Sequence, residues 1–386
     1  MAAELFRRHG YHGVGVNDIA AAAGITGPAL YRHFASKQAL LSHVLRTGVD
    51  GMCEVADREL TRPDVPANAR LSALNARLAE VAVEHRAVSA LWRWEGRHLP
   101  QADAVEIRKR GAKLIEDWSV ELRLARPDLT PADAELRCWA ALSVFGSVAD
   151  HRVSMPKRRF GPFLAALADG VLATPSVSTV DAVPAGARAG SALPTKREQL
   201  LTSATALFRQ RGFHAVSMED IGQACGMAAA SVYRHFSSKT EMLTEACKRM
   251  ADRLAQSTER ALSGSRENGA NGESVSDASV TELLESYVDT VLRQRDLLSV
   301  YVTELANLPV RERTELIRLQ RAYVAEWARM LGRFRGDLDE PAARVAVHAT
   351  LTIVNDLART ERLAVRPGLA TELVNLGNAV LRAPTP

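Results

Sequence analysis

Cysteine is scarce and scattered in this chain. Its four residues, Cys53, Cys138, Cys225 and Cys247, form no C-x-x-C pair. That leaves neither a zinc-ribbon spacing nor a disulfide framework, and they read as reduced thiols. Long apolar runs are missing too: the longest, Cys138 to Ala149, falls well short of the ~20 residues that cross a bilayer and suits a buried helix. No basic stretch followed by an apolar core opens the chain, so no secretory leader is expected. The reading is of a soluble, cytoplasmic protein with no membrane partner. Catalytic signatures are equally absent. There is no H-E-x-x-H run, no glycine-rich phosphate loop after a strand, and no nucleophile paired with His85, His98 or His348. A protein that is not an enzyme, with no cofactor and no metal site, is expected.

What is present is a balanced globular composition, 47% apolar and 24% charged, with a formal charge of +4. That mild basicity permits nucleic acid as a partner without requiring it. At 386 residues the chain has room for two or more domains. Its dominant feature is repetition. Tyr31-Arg32-His33-Phe34-Ala35-Ser36-Lys37 returns 202 positions later as Tyr233-Arg234-His235-Phe236-Ser237-Ser238-Lys239, and from position 5 to 41 at that offset 17 of 37 residues are identical. Self-similarity at a fixed offset marks two similar halves.

Apolar periodicity predicts helices and no strands, hence an all-α fold. Each half opens on a packing helix ended by a glycine, Gly10 or Gly212. The first copy of this helix is short, because Met1 aligns with Ser203 inside the second; a start codon upstream or a stunted unit would each account for that. A short helix follows from about Val16 or Met218 and stops at Gly24 or Gly226, and a third carries the repeated block. Ser217 with Asp220 makes a capping box where the first copy has Gly15. Two short helices joined by a glycine turn behind a packing helix make a helix-turn-helix unit. Long amphipathic helices follow, read at about 38–60, 66–97 with a break near His85, 101–125, 131–152 and 157–173. In the second half they fall at about 240–262, 278–306, 310–335, 340–363 and 368–382. The expected layout is a first helix-turn-helix unit at 1–47, a helical domain at 48–173, a linker at 174–194, a second unit at 195–247 and a second helical domain at 248–386. Ser263 to Asp277, rich in glycine, reads as a mobile loop.

In the third helix Leu30 and Phe34 face inward, four residues apart, which turns Gly27, Pro28, Tyr31 and Arg32 outward. A first turn of small residues, Thr26, Gly27, Pro28 and Ala29, can lie against base edges in a major groove, with Arg32 placed to read guanine. Tyr31, His33 and Lys37 are spaced to reach phosphates on either side. The second copy offers Ala228, Ala229, Ala230 and Ser231, with Arg234 as reader and Tyr233, His235 and Lys239 on phosphate. Lys196, Arg197, Asn17 and Ser217 complete the DNA-facing set. Different small turns predict different half-sites.

On the Tyr-x-x-Phe-x-x-Lys blocks and the helices before them, each half resembles a TetR-family transcriptional repressor. Two such units in one chain also resemble the single-chain double repressors of actinobacterial lipid-transport operons, the mammalian-cell-entry type. The resemblance implies a double-stranded DNA operator and a small inducer, apolar or lipid-like, bound in each helical domain. The rings that could line such pockets are Trp92, Trp118 and Trp139 in the first half, and Tyr287, Tyr301, Tyr323 and Trp327 in the second. It also implies that the last two helices of each half, 138–149 with 163–172 and 345–354 with 373–381, pair as an internal pseudo-dimer. A homodimer of the whole chain stays open, as does a small-molecule sequestering or protein-interaction module with degenerate DNA-binding units.

Overall fold

The structure, a computed structural model, describes residues 1–88, 91, 96–176, 195–268 and 277–385. Among these the fold is helical with no strand. The first half contributes α1 (Ala2–His9), α2 (Val16–Ala22), α3 (Gly27–His33), α4 (Lys37–Leu60), α5 (Ala67–Glu84), α6 (Gln101–Ala125), α7 (Pro131–Gly146) and α8 (Lys157–Ala173). The second contributes α9 (Lys196–Arg211), α10 (Met218–Ala224), α11 (Ala229–Val232), α12 (Lys239–Asn268), α13 (Asp277–Arg293), α14 (Arg295–Thr303), α15 (Val310–Phe334), α16 (Glu340–Arg359), α17 (Glu361–Ala364) and α18 (Leu369–Leu381).

Helix ends sit where local chemistry stops them. Gly10, Gly24, Gly212 and Gly226 all adopt positive φ, between 64° and 79°, a conformation that costs glycine nothing. At the two tight turns the amide after the glycine reaches back to close the helix: Ile25 N–H donates to Ala20 O at 3.0 Å and Met227 N–H to Gly222 O at 2.8 Å. α12 runs to Asn268, so residues 263–268 are helical and not the loop that glycine content suggested; 269–276 lie outside the described residues, as do 177–194 of the expected linker.

A second register links the helical domains. Leu99-Pro100 and Leu308-Pro309, Trp118 and Trp327, Arg126 and Arg335, Asp128 and Asp337, and Leu172 and Leu381 are all 209 positions apart. The pairs do the same work. Trp118 and Trp327 are both buried. Arg126 donates to the Asp128 carboxylate and to the carbonyls of Leu172 and Ala173, as Arg335 does to Asp337 and to the carbonyls of Leu381 and Ala383. Each arginine thereby caps the open carbonyls at the end of a late helix.

The chain divides into two compact units, one of Met1–Ser176, Arg335–Ile353 and Asn375–Pro386, the other of Val177–Phe334 and Val354–Val374. In the first, a single apolar cluster joins Phe6, Ile19, Leu30 and Leu41 of the leading helices to Leu91, Leu99 and Ile107. This unit also packs late residues of the chain against α8 and the segment just before it. Thr352 donates to Asp150 at 2.8 Å, the His151 and His348 rings lie 4.7 Å apart, and Arg159 pairs with Asp339. Gly170 lets α8 approach α18 closely, since a β-carbon there would stand 3.2 Å from Ala379 O. In the second unit the core runs from Leu200, Ala204 and Phe208 through Met242 and Met250 to Leu298 and Leu316.

Candidate nucleic-acid interface

α3 and α11 present the residues that sequence spacing turned outward. Leu30 and Val232 are buried, while Tyr31 and Tyr233 stand 53% and 52% exposed, each with an exposed arginine beside it. Rings of this size left half in water next to arginine suit contact with a polyanion. His33 is exposed and His235 half-buried. Thr26, Pro28, Ala228 and Ala230 are exposed, and Gly27, Ala29, Ala229 and Ser231 half-buried, so both small turns face outward. Thr26 Oγ1 also accepts from the Ala29 amide at 3.3 Å, capping α3. Asn17 is exposed and leans over Gly27: a β-carbon at that glycine would come within 2.4 Å of Asn17 Oδ1. Arg234 Nη2 donates to Ser231 Oγ at 2.9 Å, a bond that Ala29 cannot offer Arg32 in the first copy.

Four residues expected on DNA are engaged elsewhere. Lys37 Nζ donates to the carbonyls of Tyr11 and Val14 at 2.8 and 2.9 Å and lies 4.3 Å over the Tyr11 ring. Lys239 Nζ repeats this with Phe213, His214 and Val216 at 2.9, 3.4 and 2.8 Å, 4.5 Å over the Phe213 ring. Both lysines tie the start of a long helix to the loop after the packing helix, and burial pushes the Lys239 ammonium below the usual lysine pKa. Arg197 pairs with Glu245 and sits 4.2 Å over the Phe236 ring. Its hydrogen bonds to that carboxylate raise its pKa. Ser217 accepts from the Asp220 amide at 3.0 Å and donates its hydroxyl to Asp220 Oδ2 at 2.7 Å, so both its roles serve the cap. The Asp220 carboxyl is held below the usual range first by the Ser217 backbone N–H, which donates to Asp220 Oδ2 at 2.8 Å, and then by the Ser217 hydroxyl. In the first copy Gly15 supplies only the amide half, donating to Asp18 at 2.7 Å. Lys196 is exposed and donates to Gln199 Oε1 at 3.2 Å.

Around Tyr233 these caps shape an open depression of about 460 Å³, bordered by His214, Ser217, Ser238 and Lys239. Two capped helix starts, α10 and α12, meet at it. Amides at helix starts, the Tyr233 hydroxyl and Ser238, whose Oγ accepts from the Glu241 amide and keeps its own proton to donate, together match what a backbone phosphate needs.

The expected pocket aromatics of the second half come together. Tyr287, Tyr323 and Trp327 lie with ring centroids 5.8 to 6.3 Å apart, and Tyr287 Oη donates to Asn355 Oδ1 at 2.8 Å. Burial pushes the Tyr323 phenol up to about 12 and the nearby Tyr301 phenol higher still. In the first half Trp118 stacks on Phe145 at 6.4 Å. Trp139 is half-buried and donates to Glu135 at 3.3 Å. Trp92 lies outside the described residues. Sequence reasoning missed Asn355, the polar partner of Tyr287, which no local motif marks.

Comparison with known proteins agrees with this geometry. The family model for bacterial regulatory proteins of the tetR family matches twice, at residues 1–44 and 200–246. The tetracyclin repressor-like C-terminal domain matches residues 273–359. The transcriptional repressor KstR2 of Rhodococcus jostii is 30% identical over 151 residues, covering 37% of this chain and 70% of the relative. The transcriptional activator FasR of Mycolicibacterium smegmatis is 38% identical over 88 residues, or 22% of this chain and 40% of FasR, so the chain spans less than half of that relative. A solved TetR-family regulator from Bordetella parapertussis is 24% identical and covers 48% of this chain and 95% of its own, with a TM-score of 0.42. The relatives are regulators and not enzymes, and the chain belongs to the TetR family of bacterial regulatory proteins.

Proposed function

We propose that this chain is a ligand-responsive transcriptional repressor whose two unequal helix-turn-helix units read one operator as an intramolecular pseudo-dimer. The observation that carries this reading is the duplication itself. Tyr31 with Arg32 and Tyr233 with Arg234 are exposed on equivalent helices, built on the same lysine tie and the same glycine turn. The packing of Thr352 and His348 on Asp150 and His151, and of Ala379 on Gly170 of α8, supports pairing of the late helices within one chain. Two reading helices held as such pairs are held sit in successive major grooves, about 34 to 36 Å apart. The turns differ, Thr26-Gly27-Pro28-Ala29 against Ala228-Ala229-Ala230-Ser231, so the operator departs from strict palindromy. A tandem of this kind is what the mammalian-cell-entry type of double repressor would be.

The DNA-facing set is then Asn17, Thr26 to Ala29, Tyr31, Arg32 and His33, with Lys196, Ala228 to Ser231, Tyr233, Arg234 and His235. Lys37, Arg197, Ser217 and Lys239 support them from behind. The Tyr287–Tyr323–Trp327 cluster, with Asn355 bonded to Tyr287, suits a small apolar or lipid-like inducer. Such a ligand releases the operator only by as much as it prefers the conformation with the wrong helix separation. Operator binding places the protein in the cytoplasm.

The test is binding of the chain to DNA from its own upstream region across a salt series, with light scattering on the complex. Arg32→Ala and Arg234→Ala should each relax sequence preference in one half-site only, at about 1–3 kcal/mol per lost guanine contact. One chain per operator supports the pseudo-dimer; two chains favour a homodimer. No binding at low salt by wild-type protein would overturn the repressor reading in favour of a sequestering module.

A further inference from the structure

We infer that Asn307, and His98 at the same register of the first half, are positioning residues for DNA binding. Both lie outside the segments that match the family's DNA-binding model. The inference rests on the DNA-binding reading above. Asn307 closes a short turn, Leu305–Asn307, immediately before the Leu308-Pro309 boundary. Its Oδ1 accepts from His214 Nε2 at 2.8 Å, and its Nδ2 donates to Glu304 Oε2 at 2.6 Å. With Nδ2 donating to Glu304 and Oδ1 accepting from His214, both ends of the amide are committed and its orientation is fixed. Glu304 is fully buried and close enough to Cys247 that its charge adds to the burial that pushes that thiol up to about 12. One end of this chain of bonds is therefore anchored in the helical domain.

The other end is a working part of the DNA-binding unit. His214 lies in the loop whose carbonyls at 213, 214 and 216 hold Lys239, and it borders the depression beside Tyr233. Lys239 pins the loop from the side of α12 while Asn307 pins it from the helical domain. A loop held at two points holds the starts of α10 and α12, and with them the recognition helix, in one place. The first half builds the same joint from other residues. His12, 202 positions before His214, meets His98, 209 positions before Asn307, edge-on at 4.7 Å. Tyr11 stacks on His98 at 4.8 Å, Gln38 Nε2 donates to the His98 carbonyl at 3.3 Å, and Lys37 holds the carbonyls at 11 and 14. Two registers converging on one contact, with the side chains changed and the contact kept, point to a shared duty.

The experiment uses the full chain, a DNA fragment from its upstream region, and hydrogen exchange without DNA. Asn307→Ala and His214→Ala should each weaken DNA binding about three- to tenfold, the worth of one net hydrogen bond. Both should speed exchange of the amides at 213–217. The slope of affinity against salt should stay unchanged because no phosphate contact is lost. The double variant should be no worse than either single one, and Asn307→His, which installs the first unit's pairing, should restore both readouts. Unchanged exchange in Asn307→Ala, or losses that multiply in the double variant, would overturn the inference. If wild-type protein binds no DNA, the functional reading fails, and exchange at 213–217 still decides whether Asn307 holds the loop.

Discussion

Replacing Lys239 by methionine separates the two duties that a lysine at this place can have. The ammonium donates to Phe213 O and Val216 O at 2.9 and 2.8 Å, with His214 O at 3.4 Å. A hydrogen bond from a charged donor is worth about 1.5–3 kcal/mol net. Two such bonds give an upper figure of about 3–6 kcal/mol. The site is only part-buried, so water can reach some of the carbonyls in the variant, and methionine keeps most of the stem's packing. A loss of about 2–3 kcal/mol is therefore expected, or a fall of very roughly 5–10 °C in melting temperature for a unit of this size. Melting followed by circular dichroism measures it. DNA affinity should fall by one factor at every salt concentration, with the salt slope unchanged. A lysine on phosphate gives the opposite pattern: melting as in wild type, and a slope reduced by about one. That pattern would refute the supporting role assigned here, for Lys37 as well as Lys239.

Gly222→Ala should destabilise the second unit by about 1–3 kcal/mol in denaturant unfolding. The added β-carbon would stand 2.7 Å from Met227 O and 3.0 Å from Val232 Cγ2, and overpacking outweighs the ~1 kcal/mol gain in helix propensity. His348→Leu should move acid unfolding to lower pH. Burial lowers the His348 pKa to about 4, below the ~6.5 of an unfolded chain, so wild-type stability is lost as pH falls from about 6.5 toward 4 while the unfolded state alone takes up the proton. Arg335→Ala should speed hydrogen exchange at the end of α18, because it removes the donors on Leu381 O and Ala383 O, while leaving the ends of α8 and α9 as protected as before.

The recognition helices and the glycine turns were legible because the repeat compares the chain with itself. Where Tyr, Arg and Phe recur at one offset, helical geometry alone sorts them into an outer and an inner face, as exposed Tyr233 and buried Phe236 show. The lysines were not legible in the same way. A four-carbon stem at the start of a helix can swing toward solvent or back toward the protein, and spacing does not choose between them. The deciding feature is an aromatic ring 26 residues earlier, Tyr11 for Lys37 and Phe213 for Lys239, a separation with no helical or strand period. Ser217 shows a different limit: a hydroxyl already spent on Asp220 as both acceptor and donor has nothing left for a phosphate. The 209-residue register of the helical domains was hardly visible beyond Leu-Pro, since burial there accepts any apolar residue of suitable size. It emerges from what the side chains do: Arg126 and Arg335 close equivalent helix ends.

The same comparison shows that the two DNA-binding units are buttressed differently behind equal faces. In the second, Phe236 is buried beneath Arg197, which is held by Glu245; Glu245 and Glu198 both grip Arg249. At these registers the first unit has His43 and Thr47, and Phe34 is only half-buried, with the His43 ring 5.3 Å away. Both units share an apolar core with their helical domains: Phe6, Val14 and Ile19 belong to one cluster with Leu91, Leu99, Ala104 and Ile107, and Leu200 and Phe208 are buried with Leu298 in the second. A unit stabilised through its helical domain feels any change in that domain directly. Both units also meet their helical domains at the joint built on His98 or Asn307, so the difference lies in the ion pairs that brace the second one.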